Sequence, residues 1–434
     1  IRVGNSDSAT DGGDGYFDMN GGFVTTTGNL DTHGNHLGPN EGSSIATIDI
    51  SGGTLQVNNI LLDNNVPKTT GTLNRTTMIV SGGTIGANNL FEIGSGGNAI
   101  SSYTQSGGDV TIGNNIIVGA SPDSQATAVV NGGNLTAGNN LDIANNGNGD
   151  LTITGTANVT ATNVRIATGS GTGNLQVTGG ILNIGNGAGN GSFDVDNANA
   201  THSLTGGLIQ TTTAGGTIAL AANTGLTLSG STLNMRGGQL TDTDANTNSI
   251  IVSGGKIYNA SLIDGEITMS DPDGEIDITE DATGPGDGRI LDVEGNNVTI
   301  DDGTVIFDLF SGGGTGSANS FDAANASGLT DVGNLQLSDD ISILVNNDNN
   351  ATISTDFVLG DSWDLLGTFT DDGITTDLSN FTLPTLAAGL GWDVSNFATD
   401  GTIVVVPEPT HIALLFLSAL LALCPRRRSR NSDR

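Results

Sequence analysis

The sequence predicts an all-β chain: a right-handed parallel β-helix, built as a three-sided β-solenoid, then a β-rich C-terminal module and a short C-terminal hydrophobic helix. Three observations predict it. A glycine-pair turn recurs about every 25 residues, three short segments of alternating apolar residues fill each interval, and the composition changes character near the C-terminus.

The turns come first. Clean copies stand at Ser51-Gly52-Gly53, Ser81-Gly82-Gly83, Ser106-Gly107-Gly108, Asn131-Gly132-Gly133 and Ser253-Gly254-Gly255, with degenerate copies at Thr154, Thr178, Thr205 and Ser229. Successive first glycines are 23 to 30 residues apart, a period that marks a solenoid or array. Glycine suits such corners because it tolerates positive φ and close backbone approach. Within one period Ile48 and Ile50 precede the glycines, Leu55 and Val57 follow them, and Ile60 and Leu62 come after Asn58-Asn59. Alternation lets one face of each segment point inward. Three such segments with no helical pattern between them close one coil, and coils pair at about 4.8 Å. Eleven or twelve coils then give a rod on the order of 55 Å.

A second recurrent element lies seven or eight residues after the glycines: Asn59, Asn89, Asn115, Asn140 and Asn163. Coils in register would stack these amides into a hydrogen-bonded ladder, whereas asparagine's preference for turns explains each one singly. The run Leu90-Phe91-Glu92-Ile93 puts Glu92 where Leu62 faces inward, which predicts a bulge or slip.

Domain organisation follows composition. Residues 1–310 read as solenoid, clearest over 45–260; residues 311–406 as a β-rich capping module; residues 407–434 as a tail. Fourteen acidic residues fall in 264–308 against Arg289 alone, as an acidic edge or a cation site. The candidate calcium ligands are Asp271, Asp273, Asp277 and Glu280: in an EF-hand register Asp271, Asp273, Gly274 and Glu280 take positions three, five, six and twelve. Met269 at position one lacks an oxygen ligand, and a solvated acidic turn is the simpler reading. Residues 305–406 hold nine of the chain's phenylalanines and tryptophans against a low-aromatic rod, which signals a conventional core. Gly312 to Ser317 reads as a linker or long loop, and Trp363 and Trp392 as core residues or, more sharply, as sugar platforms.

Enzyme chemistry finds little support. Asp194 with Asp196, and Asp242 with Asp244, could pair carboxylates on one strand face. Only Arg165, Arg236 and Lys256 supply basic groups in the middle of the rod, and Asp31, His33 and His36 read as a polar loop before they read as metal ligands. No phosphate loop, nucleophile elbow or zinc signature occurs. The expectation is a non-enzyme.

Charge and tail point outward. Residues 1–425 carry 45 acidic residues against 7 basic ones, a formal charge of −38 that disfavours nucleic acid and anionic membrane surfaces. The single cysteine, Cys424, excludes an intrachain disulfide. The sequence opens at Ile1 with no basic segment and no apolar run after it, so it reads as a fragment or a processed chain. Pro407, Glu408 and Pro409 form an extended box, residues 412–424 are apolar, and Arg426, Arg427, Arg428 and Arg430 follow. Thirteen helical residues span about 20 Å, short of a hydrocarbon core of about 30 Å. The arginines would stay cytoplasmic and leave the rest outside.

This order of box, apolar segment and arginine cluster resembles the PEP-CTERM sorting signal of Gram-negative bacteria. The resemblance implies export, transient insertion in the inner membrane, and cutting near the box by an exosortase-type transpeptidase. The glycine and asparagine turns over 45–260 resemble repeats of autotransporter-type passenger domains. Together they imply a cell-surface or extracellular structural or adhesion protein, and its acidic, Asn/Thr/Ser-rich face would contact extracellular polysaccharide or neighbouring cells; a β-helix lyase, hydrolase or glycan-binding module is the alternative.

Overall fold

The computed structural model describes residues 1–3, 14–32, 45–63, 74–195, 200–220, 225–242, 249–278, 290–293, 296–309, 328–330, 332–338, 340–347, 357–366, 369–374, 379 and 381–408. Their strands form one 31-stranded sheet, parallel throughout, and a separate three-stranded antiparallel sheet. The chain is a three-sided parallel β-solenoid. One coil shows the plan: Ala99–Gln105 lies on the first face, Asp109–Ile112 on the second, Asn115–Val118 on the third. Each then pairs with its counterpart one coil on: Ser101 with Ala126, Val110 with Leu135, Ile116 with Leu141.

The core is the lumen of the coils. Ile48, Ile50, Leu55, Val57, Ile60 and Leu62 are all fully buried, as their alternation predicts, and register preserves the pattern from coil to coil. The residues between them point out and are mostly polar, with Leu61 and Ile79 among the exceptions. Tyr103 is the largest polar-tipped side chain inside: its ring meets Phe91 edge-on at 5.0 Å, and its hydroxyl donates to Gln105 Oε1 at 2.8 Å. Gln105 in turn donates to the carbonyls of Gly108 and Asn134, which keeps a buried amide satisfied.

The corner between first and second faces uses the predicted glycines. Gly53, Gly83, Gly108 and Gly133 hold φ of 83°, 80°, 75° and 75°. A Cβ on Gly83 would also sit 2.8 Å from the Gly53 carbonyl oxygen, so close stacking as well as conformation demands glycine. The corner between third and first faces is left-handed too, at Asp63, Gly94, Gly119, Ala144 and Ala167, and here alanine serves in two coils. Corner length varies. Between second and third faces only Thr162 separates Ala161 from Asn163, while one coil later a turn closed by Asn186 N–H to Asn190 O (2.9 Å) intervenes between Ile184 and Gly191.

The parallel ladder is longer than the repeats suggest. Among the described residues it includes Arg2–Val3 against Leu30–Thr32 and Gly15–Thr25 against Ile45–Val57, ahead of the first Ser-Gly-Gly, and it does not stop near residue 310. Val298–Leu309 pairs with Ile341–Asn347, which pairs with Phe381–Thr382. Beyond this, Ser362–Asp364 and Leu390–Asp393 flank Thr402–Pro407 in the antiparallel sheet. This small sheet and the helix Phe397–Asp400 close the end of the rod: Leu366 and Phe397 line an apolar gap with Ile276, Val305, Phe307 and Ile343 of the last coils. Phe381 of the final coil meets Phe397 edge-on at 4.9 Å. A cap of this kind covers strand edges that a solenoid otherwise leaves open. The expected hydrophobic helix at 412–424 lies outside the described residues, among which no helix is long and apolar enough to cross a membrane.

Candidate functional site

The predicted asparagine ladder forms only in part, with a break: of the five residues its spacing singles out, Asn140 and Asn163 alone join amide to amide, and the other links run through Asn29, Asn114 or the backbone. Asn59 Nδ2 donates to Asn29 Oδ1 (2.8 Å), Asn114 Nδ2 to Asn89 Oδ1 (3.3 Å) and Asn163 Nδ2 to Asn140 Oδ1 (2.9 Å), and Ser192 Oγ ends the row on Asn163 Oδ1 (3.0 Å). Between these pairs the backbone takes over: Leu90 N–H donates to Asn59 Oδ1 and Asn140 N–H to Asn115 Oδ1. The break is the slip anticipated at Glu92, with a correction to its placement. Leu90 is an extra residue, so Phe91 pairs with Ile60 and Ile93 with Leu62, and Glu92 stacks on Leu61. It stays out of the lumen. Burial still pushes its carboxyl above the ordinary value.

A second ladder runs up the second face. Gln210 donates to Asn183 Oδ1 (2.8 Å), Asn183 to Asn158 (2.7 Å), Asn158 to Asn134 (3.0 Å) and Asn134 to the Asp109 carboxylate (2.7 Å). Every amide dipole points the same way, toward a charge, so the bonds polarise one another. Sequence reading missed it. The signal was the residue after the glycine pair, Asp109 and Asn134, in successive repeats.

The third face stacks Asp142, Arg165 and Asp194 in register on successive coils. Arg165 binds Asp142 through two bonds, Nε to Oδ1 (2.6 Å) and a terminal guanidinium nitrogen to Oδ2 (2.8 Å), and the Asp142 side chain is almost fully buried. The other mid-rod cations are committed as well. Arg236 donates to the Thr211 and Thr212 carbonyls, and Lys256 holds Glu275 at 2.6 Å. His202 packs edge-on against Phe193, its Nε2 accepts Thr227 N–H at 3.3 Å, and burial holds its pKa below the ordinary value.

Three of the candidate calcium ligands, Asp271, Asp273 and Asp277, are spread along one strand. Asp271 accepts the Asp273 N–H (3.0 Å) and the Ser253 hydroxyl (3.4 Å), forming a local turn at a corner. Asp277 lies further on, in register with Tyr258 and Ile306, within Glu266–Asp277. Among the described residues no group of three His, Cys, Asp or Glu side chains gathers to hold a metal; Glu280 lies outside them. So do Asp196, Asp244, His33 and His36, and the side chain of Asp242. Asp31 stacks between Arg2 and Leu61 on the third face.

The two tryptophans build a core. Trp363, Trp392 and Phe357 form an aromatic triangle with centroids 5.2 to 5.7 Å apart, Trp363 is buried, and Trp392 Nε1 donates to Pro384 O at 2.8 Å. Pro407 is the last residue of strand Thr402–Pro407, opposite Leu390, and Glu408 N–H donates to Gly389 O at 3.0 Å. Pro409 and Arg426, Arg427, Arg428 and Arg430 lie outside the described residues. Compared with protein-family models, curated proteins and solved structures, the chain matches none.

Proposed function

We propose that the chain is an exported structural or adhesion protein of the cell surface or extracellular matrix, delivered by its C-terminal signal and processed by an exosortase-type transpeptidase. The observation that carries this reading is the place of the Pro407-Glu408-Pro409 box. It begins where the last strand of the cap ends, so a cut after it would leave solenoid and cap whole. The tail would enter the inner membrane only in transit, with Arg426, Arg427, Arg428 and Arg430 on the cytoplasmic side. A stiff rod of high negative charge, with rows of amides and hydroxyls on its faces, suits contact with extracellular polysaccharide and repels nucleic acid.

The mass of the mature C-terminus from the native host tests the delivery. An end near Pro409 is expected; an intact Arg434 overturns it. A glycan array separates adhesion from passive scaffolding. Shortened products from acidic polysaccharides would favour the carbohydrate-active alternative, for which Arg165, Arg236 and Lys256 would have to leave the partners they hold.

A further inference from the structure

Val358 and Leu359 are the two most exposed aliphatic side chains among the described residues, at 57% and 59%, and they are consecutive. They form the tip of a tight turn. Asp361 N–H donates to Val358 O at 3.1 Å, and Val358 N–H to Asp361 Oδ2 at 2.7 Å, so the turn presents them in a fixed geometry. Single exposed apolar residues are ordinary, but a hydrogen-bonded turn that could take any polar residue instead offers two together. Their position is the second observation. Gly360 N–H donates to Val405 O and Val405 N–H to Asp361 O, which sets the tip beside the end of the last strand, within two residues of Pro407. From Glu408 to the start of the apolar run at Ile412 is four residues, a reach of at most about 14 Å.

We infer that Val358 and Leu359 are a membrane-contact tip that dips into a phospholipid surface while the tail holds the chain there. This rests on the membrane reading of residues 412–424 given above. The short connection holds the cap end of the rod against the bilayer. A tether alone would let the rod lie down, whereas a second, apolar contact beside it fixes the cap facing the surface and the rod pointing away. The Pro407-Glu408-Pro409 box is thereby presented at the surface where a membrane-embedded transpeptidase works. Two aliphatic side chains bind a bilayer weakly by themselves, and the tether supplies the effective concentration. Asp361 in the same turn and Glu408 at the exit disfavour anionic lipid, so a zwitterionic surface is the better match for the tip.

The test uses the full chain with Cys424→Ser, and an environment-sensitive fluorophore on Leu359→Cys or, as a control at the far end of the rod, on Thr25→Cys. Both are reconstituted with phosphatidylcholine vesicles, after circular dichroism shows native β content. A blue shift and quenching by brominated acyl chains at position 359, absent at 25, are expected. If the chain floats with vesicles but position 359 is as wet as 25, the tip is wrong while the tail reading stands. A chain that does not float overturns both. Shielding at 359 before vesicles are added means protein covers the tip, a second copy or the chain's own tail, and overturns the lipid assignment. Val358→Cys gives an independent reading if the first variant misfolds.

Discussion

Glu92 and His202 titrate against the fold from opposite sides. Burial raises the Glu92 carboxyl above its ordinary 4.5, so the folded state prefers the protonated acid. That contribution is complete below 4.5 and is lost as pH rises through the folded value. Glu92→Gln should therefore raise the denaturation midpoint at pH 7 and change it less at pH 4, which urea unfolding at the two pH values checks. His202 is the reverse. Its folded pKa is depressed below 6.5, and its Nε2 must stay unprotonated to accept from Thr227. Stability is then complete above 6.5 and falls as pH drops toward the depressed value; His202→Gln should flatten that limb. Backbone strain gives another residue-scale prediction. Ala144 holds φ of 62°, a conformation that costs a non-glycine residue about 1–2 kcal/mol, partly offset by the entropy glycine loses on folding. Ala144→Gly should raise stability by roughly 0.5–1 kcal/mol, read from the thermal midpoint. Glu92 was legible in the sequence as a misfit, yet its placement was not, because spacing counts residues and does not reveal that Leu90 is taken up at the corner. Ala144 was hidden for a related reason: a left-handed corner without glycine leaves no mark.

At the scale of strands and rows, polar side chains add to backbone pairing in holding adjacent coils together. Asn158 both donates to Asn134 and accepts from Asn183, so Asn158→Ala cuts the row in the middle. At about 0.5–1.5 kcal/mol per bond, the loss should be roughly 1–3 kcal/mol, and larger than for a terminal member such as Gln210. Arg165 is a sharper case. Removing it leaves Asp142 buried without its bidentate partner, and Arg165→Met should cost roughly 3 kcal/mol, the low end for a buried pair because the arginine is a third exposed. Adding Asp142→Leu should recover most of it, and a double-mutant cycle in urea measures the coupling. The periodic alternation made most strands of the clear repeats readable, and Asn140 and Asn163 stack as their spacing implies, whereas Asn59 meets Leu90 in place of Asn89. The second row was not seen because its members, Asn134, Asn158 and Asn183, sit at slightly different offsets from their glycines. Register puts Asn158 opposite Asn134, while Asn183, opposite Thr160, reaches Asn158 diagonally.

For the whole molecule, the end of the rod is the sensitive place. Phe397 is fully buried where the cap meets the lumen, so Phe397→Ala should cost about 3–5 kcal/mol and open the last coils to hydrogen exchange before the middle ones. Truncation after Glu408, by contrast, should leave the melting temperature unchanged, since the last strand is retained. The change in aromatic content near residue 305 does not coincide with the end of stacking, because Phe307 still lines the lumen and Ile341–Asn347 still pairs in parallel. The corner that closes through Asn186 and Asn190 carries a more general consequence. Its added residues widen the perimeter at one height and leave the strands above and below at their usual separation, so girth and pitch are independent quantities. The height of this rod counts rungs, and a chain could gain or shed residues at any corner without altering how far its tip stands from its base.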